Sequence, residues 1–159
     1  MSDDASPANA GVHYPPPLLY VAGIAGGWLA QRAHPLEITG HPSPIRTSLA
    51  VAFALGWLAM FAAASGAFAR HKTPLIPNRP AAALVTSGIY RYTRNPMYVS
   101  LVLLYLAVTL VLDSWWPLVF LPLVVIAVDR LVIQREERYL AQAFPGEYTA
   151  YRGRVRRWV

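Results

Sequence analysis

Four apolar stretches, each cut off by proline, glycine or charge, constrain this chain more than any other feature. They run from Pro17 to about Ala30, from about Ser48 to Ala69, from Pro96 to Leu112, and from Trp115 to Val128, with only Asp113-Ser114 parting the last two. A helix needs roughly 20 apolar residues to cross a hydrocarbon core of about 30 Å. All four stretches come near that length, the first and fourth being short enough to need polar ends. The expectation is therefore an all-α, polytopic membrane helix bundle of about four transmembrane helices. Composition agrees: 55% of the 159 residues are hydrophobic, only 14% are charged, and the mean hydropathy is +0.35. Residues 1–14 are expected to form a disordered tail, and residues 15–159 a single membrane domain. Met1 to Ala10 is acidic and has no basic n-region, so no cleavable signal peptide is expected. In the first stretch, Gly23, Gly26 and Gly27 leave two readings open, a re-entrant segment or a helix that packs closely on a neighbour.

Charge placement orients the bundle. Of the 14 Lys and Arg residues, five lie between the second and third stretches (Arg70, Lys72, Arg79, Arg91, Arg94) and seven follow the fourth (Arg130, Arg135, Arg138, Arg152, Arg154, Arg156, Arg157). With four crossings both basic segments fall on one side, and the positive-inside rule makes that side cytoplasmic, together with both termini. Trp115 and Trp116 then sit at the opposite interface, where indole rings favour the headgroup layer. The net charge of +6 lies beside apolar spans, so anionic lipid headgroups and phosphates are the expected partners and nucleic acid is not.

The connection before the third stretch carries Pro74, Pro77 and Pro80, which break any helix and predict an irregular segment over the membrane face. It ends in Gly88-Ile89-Tyr90-Arg91-Tyr92-Thr93-Arg94-Asn95-Pro96-Met97-Tyr98, a polar, basic and aromatic run that enters a hydrophobic helix. Asn95 suits the N-cap position and Pro96 the first helical one, so the helix opens with free N–H groups and its positive dipole end toward the cytoplasm. An anionic group suits that position. Arg91 and Arg94 add guanidinium forks for carboxylate or phosphate, while Tyr90, Tyr92 and Tyr98 offer flat faces for a purine or a cation. The plainer alternative is an interfacial Tyr and Arg belt.

A second constellation, Asp129 to Leu140, carries the fourth helix out of the membrane. At α-helical spacing Arg130, Gln134 and Glu137 share one face, and Asp129, Ile133, Glu136 and Leu140 the adjacent one. Paired carboxylates thus emerge at the membrane boundary, on the same side as the Arg91 to Tyr98 segment. A glutamate there is costly unless it meets protein, water or a partner. A solvated helix with i,i+4 pairing is the alternative. With no cysteine, thiol nucleophiles and Cys-ligated metals are excluded. His34, His41 and His71 are scattered through connections without metal-site spacing, so no metal is expected.

Leu84-Val85-Thr86-Ser87-Gly88-Ile89-Tyr90-Arg91-Tyr92-Thr93-Arg94-Asn95-Pro96-Met97-Tyr98, followed by Arg135-Glu136-Glu137-Arg138-Tyr139-Leu140 and Phe144-Pro145-Gly146-Glu147-Tyr148-Thr149-Ala150-Tyr151, resembles the isoprenylcysteine carboxyl methyltransferase and phospholipid methyltransferase superfamily. The core motifs cover residues 84–151. The resemblance implies an integral membrane methyltransferase using S-adenosylmethionine, its cytoplasmic pocket lined by Gly88, Tyr90, Arg91, Arg94, Asn95, Pro96, Tyr98, Glu136 and Glu137. It implies a lipophilic or amphipathic methyl acceptor: a carboxylate, which Arg130 or Arg135 would orient, or an amine, whose proton Glu137 or its neighbour would take. The chain departs from the superfamily's Gly-Pro-Tyr-Arg and Arg-His-Pro at Ile89 and Asn95, and asparagine cannot titrate. Substrate identity is therefore not carried over. A non-catalytic lipid-binding or assembly protein on the same fold is the alternative function. Gly146 to Trp158, with Tyr148, Tyr151 and four arginines after Tyr151, is expected to be a loop that serves either as a lid or as an anchor on anionic lipid.

Overall fold

The computed structural model describes residues 15–71 and 82–159. The expected disordered tail, Lys72, Arg79 and the prolines at 74, 77 and 80 lie outside the described residues. Those described are helical throughout, apart from an isolated antiparallel bridge between Glu37 and Ser114.

Proline sets three of the helix starts. Helix α1 spans Pro17–Ala33, α2 Pro44–Arg70 and α3 Pro96–Val111, each opening on a residue whose missing N–H would have had no intrahelical partner. Ser43 caps α2, its Oγ accepting from the Arg46 amide at 3.3 Å. Helix α4 spans Trp116–Val128 and passes through a π-helical turn, Asp129–Ile133, into α5, Gln134–Ala143. Gly146, at φ 82°, turns the chain into α6, Glu147–Arg154.

Helix α3 is central, packing on α2 along one side and against α1 and α4 on the other, while α1 also lies along α4. The glycines of α1 serve that last contact. A Cβ on Gly27 would come within 2.6 Å of the Pro117 nitrogen, and one on Gly23 would collide with Val124. Of the two readings open for this segment, the structure selects the closely packed helix. Two polar side chains inside the bundle are satisfied by nearby backbone: Tyr105 Oη donates to the Pro117 carbonyl at 2.7 Å, and Thr109 Oγ1 to the Tyr105 carbonyl at 2.8 Å. Large apolar side chains such as Leu55, Leu58, Val119, Leu123 and Ile126 face outward. Among the described residues two helices are long and apolar enough to cross a membrane, α2 and the continuous run Trp116–Ala143, and α3 is a shorter apolar helix.

One end of the bundle is organised by Asp113, half-buried in the turn between α3 and α4 at a positive φ of 51°. Its carboxylate accepts from the Thr39 amide at 2.9 Å and the Gly40 amide at 3.1 Å, and lies 3.5 Å from Arg46 Nε. Desolvation is the largest single influence and raises the carboxyl, but the Thr39 and Gly40 hydrogen bonds and the Arg46 charge together outweigh it and hold the group below the usual range. Arg46 in turn caps α3, donating to the Leu110 carbonyl at 2.6 Å. A cleft of about 730 Å³ opens here, lined by Glu37, His41, Arg46 and Asp113. Because Arg46 and Asp113 pair with one another and with backbone, the cleft reads as a loop junction. This junction joins the α1–α2 and α3–α4 connections, so the start of α3 and the chain after α4 lie together at the other end.

Candidate active site

Gly88, at φ 62°, starts the turn that delivers the pre-helix motif; a side chain would be strained there even though its Cβ would meet only Arg70 Nη2, at an ordinary contact distance of 3.6 Å. A 3₁₀ turn, Gly88–Arg91, follows. It buries Tyr90 edge-on against Phe68, with ring centroids 5.5 Å apart, and turns Arg91 and Tyr92 to the outer surface. The Tyr90 carbonyl accepts from Tyr151 Oη at 2.7 Å, tying α6 to the motif. Burial first, then the neighbouring Tyr151 and Glu136, push the Tyr90 phenol up.

Asn95 occupies the N-cap position but does not cap. Its Nδ2 donates instead to the Arg157 carbonyl at 2.9 Å, and the first turn of α3 closes through Tyr98 N to Asn95 O at 3.1 Å. The expectation of a set of free N–H groups at this helix start is corrected accordingly: the Asn95 amide donates to Thr93 Oγ1 at 3.2 Å, the Tyr98 amide is engaged as well, and the asparagine side chain holds the returning tail.

The π turn changes the second constellation. Asp129 Oδ2 accepts from Gln134 Nε2, five residues on, at 2.7 Å. The wider turn rotates everything after it relative to everything before, so the two α-helical faces expected across Asp129 to Leu140 do not continue through it. The adjacent glutamates, both beyond the turn on α5, have separate partners. Glu136 Oε1 accepts from Tyr98 Oη at 2.7 Å, and the Tyr98 carbonyl accepts from Tyr20 Oη at 3.2 Å. Glu137, 9% exposed, lies between two guanidinium groups. Arg94 Nη2 is 3.3 Å from its Oε1, while Arg157 donates through Nη2 to Oε2 at 2.6 Å and through Nε to Oε1 at 3.2 Å. Arg157 Nη1 also reaches Asp129 Oδ1 at 3.2 Å. Arg94, Arg157, Asp129 and Glu137 thus form a charge-balanced group. The Glu137 hydrogen bond chiefly, with both carboxylate charges, pushes the Arg157 guanidinium up against its own desolvation. Tyr148 takes a contact from Arg94 Nη1 at 3.3 Å. Its phenol is pushed up to about 12, by burial first and the Glu137 charge second, with Arg94 opposing.

One atom in this cluster is left over. The Arg94 side chain is 9% exposed, and its Nε–H, wholly enclosed, has no acceptor. A buried unpaired donor costs about 1–3 kcal/mol, which an acceptor brought by a ligand would recover.

The structure gathers Tyr90, Arg94, Asn95, Pro96, Tyr98, Glu136 and Glu137 around the junction of α3, the π turn and α5, with Gly88 forming the turn into it. It leaves Arg91 and Arg130 on the outer surface, and Arg135 half-buried beside the junction's second helix. Sequence reasoning missed Arg157, Asp129, Thr93 and Tyr148 as members of the cluster. The tail arginines were visible as charge, but nothing local shows which of them turns inward.

Comparison with known proteins is consistent with this arrangement. The family described as phospholipid methyltransferase matches residues 47–147, well over half of the chain, from the first turn of α2 to the start of α6. The chain is also similar to an uncharacterized protein of Haemophilus influenzae, 38% identical over 63 residues, which is 40% of this chain and 100% of that protein. No solved structure matches. Residues 47–147 hold both the pre-helix motif and the two-glutamate helix, and on that match the chain belongs to the phospholipid methyltransferase family.

Proposed function

We propose that this protein is an integral membrane methyltransferase that uses S-adenosylmethionine and acts on a lipid-borne or amphipathic acceptor at the junction of α3 and α5. The observation that carries the reading is Arg94, a buried guanidinium held by Glu137 and Tyr148 whose Nε–H still lacks an acceptor. The residues fit the cofactor's chemistry: Arg94 suits its carboxylate, and Glu136, Glu137 and the Tyr90 and Tyr98 rings suit its amino, ribose and sulfonium groups. When bound, the cofactor supplies an electrophilic methyl group on a cationic sulfur.

The protein's part is alignment and exclusion of water. Glu137 keeps the Arg94 fork in place, the Tyr98 hydroxyl fixes Glu136, and Tyr148 and Tyr151 cover the motif from α6. A carboxylate acceptor is already nucleophilic near neutral pH and needs only orientation, a role for Arg135, half-buried on α5, rather than for Arg130 on the outer surface. An amine acceptor must lose a proton, and Glu136 or Glu137 is the group to receive it.

Titration of the purified protein with S-adenosylhomocysteine tests the reading. The intact protein binds, and Arg94→Gln weakens binding by at least about tenfold, the scale of a lost charged hydrogen bond. Absence of binding by the intact protein defeats the proposal, and unchanged binding in the variant removes Arg94 from the site.

The basic end of the bundle is proposed to face the cytoplasm, on the strength of its arginines. Because the chain has no cysteine, single-cysteine labelling reports this directly. Gly153→Cys, in open surroundings, is expected to react only from the cytoplasmic side and His41→Cys only from the other. The reverse pattern overturns the orientation.

A further inference from the structure

We propose that Arg157 is a positioning residue of the cofactor site, so that the C-terminal segment after α6 forms a wall of that site rather than a membrane anchor. The inference rests on the methyltransferase reading above. It concerns a residue outside the segment 47–147 that the family match covers.

Three observations carry it. The Arg157 guanidinium reaches across the π turn, pairing with Asp129 at its first residue and, through a two-pronged contact, with Glu137 beyond its end. A π turn has the wider and less favoured hydrogen-bond geometry, and a side chain bridging its two ends fixes the rotation it introduces. That rotation decides where Glu136 and Glu137 point. Next, the main chain of the same segment holds the pre-helix motif: the Arg157 carbonyl accepts from Asn95 Nδ2 and from Thr93 Oγ1, and the Arg156 carbonyl accepts from the Arg94 amide at 3.0 Å. Trp158 packs on the core formed by Tyr20, Tyr98, Val128 and Ile133. Last, the other arginines of the tail behave differently. Arg152, Arg154 and Arg156 are exposed, as contacts to anionic lipid require, whereas the Arg157 side chain is 31% exposed and committed to protein carboxylates.

The mechanism follows from shared partners. Arg94 and Arg157 both contact Glu137 Oε1. Without Arg157, Glu137 is held by Arg94 alone and both are free to shift, which moves the Arg94 Nε–H that the proposed site aims at the cofactor's carboxylate. Arg157 itself touches no reacting atom.

The test uses the full-length protein in detergent, titrated with S-adenosylhomocysteine, together with hydrogen exchange of the amides of residues 129–137 in its absence. Arg157→Gln is expected to weaken binding by about ten- to a hundredfold, comparable with a lost charged hydrogen bond, and to speed exchange across the π turn. Arg157→Lys, which keeps the charge and loses the fork, falls between the two, and Arg154→Gln leaves both readouts unchanged. If Arg157 acts through Glu137, adding Arg157→Gln to Glu137→Gln weakens binding no further than Glu137→Gln alone. Unchanged affinity in Arg157→Gln overturns the proposal in favour of an anchor, and tighter binding overturns it in favour of a displaceable gate. Should the glutamine variant fail to fold, the lysine variant decides in the same way. Failure of the intact protein to bind defeats the methyltransferase reading itself, and the inference with it.

Discussion

Glu137→Ala is expected to destabilise the protein by about 3–5 kcal/mol and to abolish S-adenosylhomocysteine binding. The size follows from what the substitution leaves behind. Glu137 is buried between Arg94, whose side chain is 9% exposed, and the partly exposed Arg157, so removing its carboxylate strands the Arg94 guanidinium, which has given up water. Asp129 still pairs with Arg157, but no other carboxylate contacts Arg94 among the described residues. Glu136→Ala removes only the acceptor of one tyrosine hydroxyl and is expected to cost much less, about 1–2 kcal/mol. Denaturant unfolding in a mild detergent, followed by tryptophan fluorescence, measures both. Equal losses at the two glutamates would show that the separation of their roles by their different partners is wrong.

Gly27→Leu is expected to lower stability by about 1–3 kcal/mol, with the neighbouring Gly26→Ala neutral or slightly stabilising. At Gly27 an added Cβ meets the nitrogen and Cα of Pro117 at 2.6 and 2.8 Å, and backbone at the start of α4 cannot swing aside as a flexible side chain can. The two helices must part. At Gly26 the nearest atoms belong to the Phe120 ring at 3.7 Å, an ordinary contact distance, and alanine improves on glycine within a helix. Thermal unfolding of the two variants side by side checks this. A Gly26→Ala loss as large as that of Gly27→Leu would mean that α1 and α4 do not approach through this face.

Much of the bundle was legible because its causes are local. The second apolar stretch, read as Ser48 to Ala69, is α2 at Pro44–Arg70, and the third, read as Pro96 to Leu112, is α3 at Pro96–Val111. Apolar length and a proline in the first turn suffice to place such helices within a few residues. Within the junction the reading was uneven. Arg91 and Arg94 look alike in sequence, yet the 3₁₀ turn at Gly88–Arg91 sends the first outward while the second joins Glu137. Asn95 has the right identity for a cap, but the nearby Arg157 carbonyl takes its amide.

By itself, then, the sequence determined the apolar helices, the two motifs and the family, since hydrophobic length, turn chemistry and residue order are properties of neighbouring positions, whereas α6 lies in the segment read as a loop. The tertiary structure alone decided which charges meet. The faces of Asp129 to Leu140 follow from a regular 100° step per residue, and a single π turn breaks that step. Arg157 returns to Asp129 and Glu137 from 28 and 20 residues away, a distance over which no local pattern chooses among the four tail arginines. Burial chooses: the arginine that finds two carboxylates and a packed tryptophan beside it stays inside, and the others remain exposed.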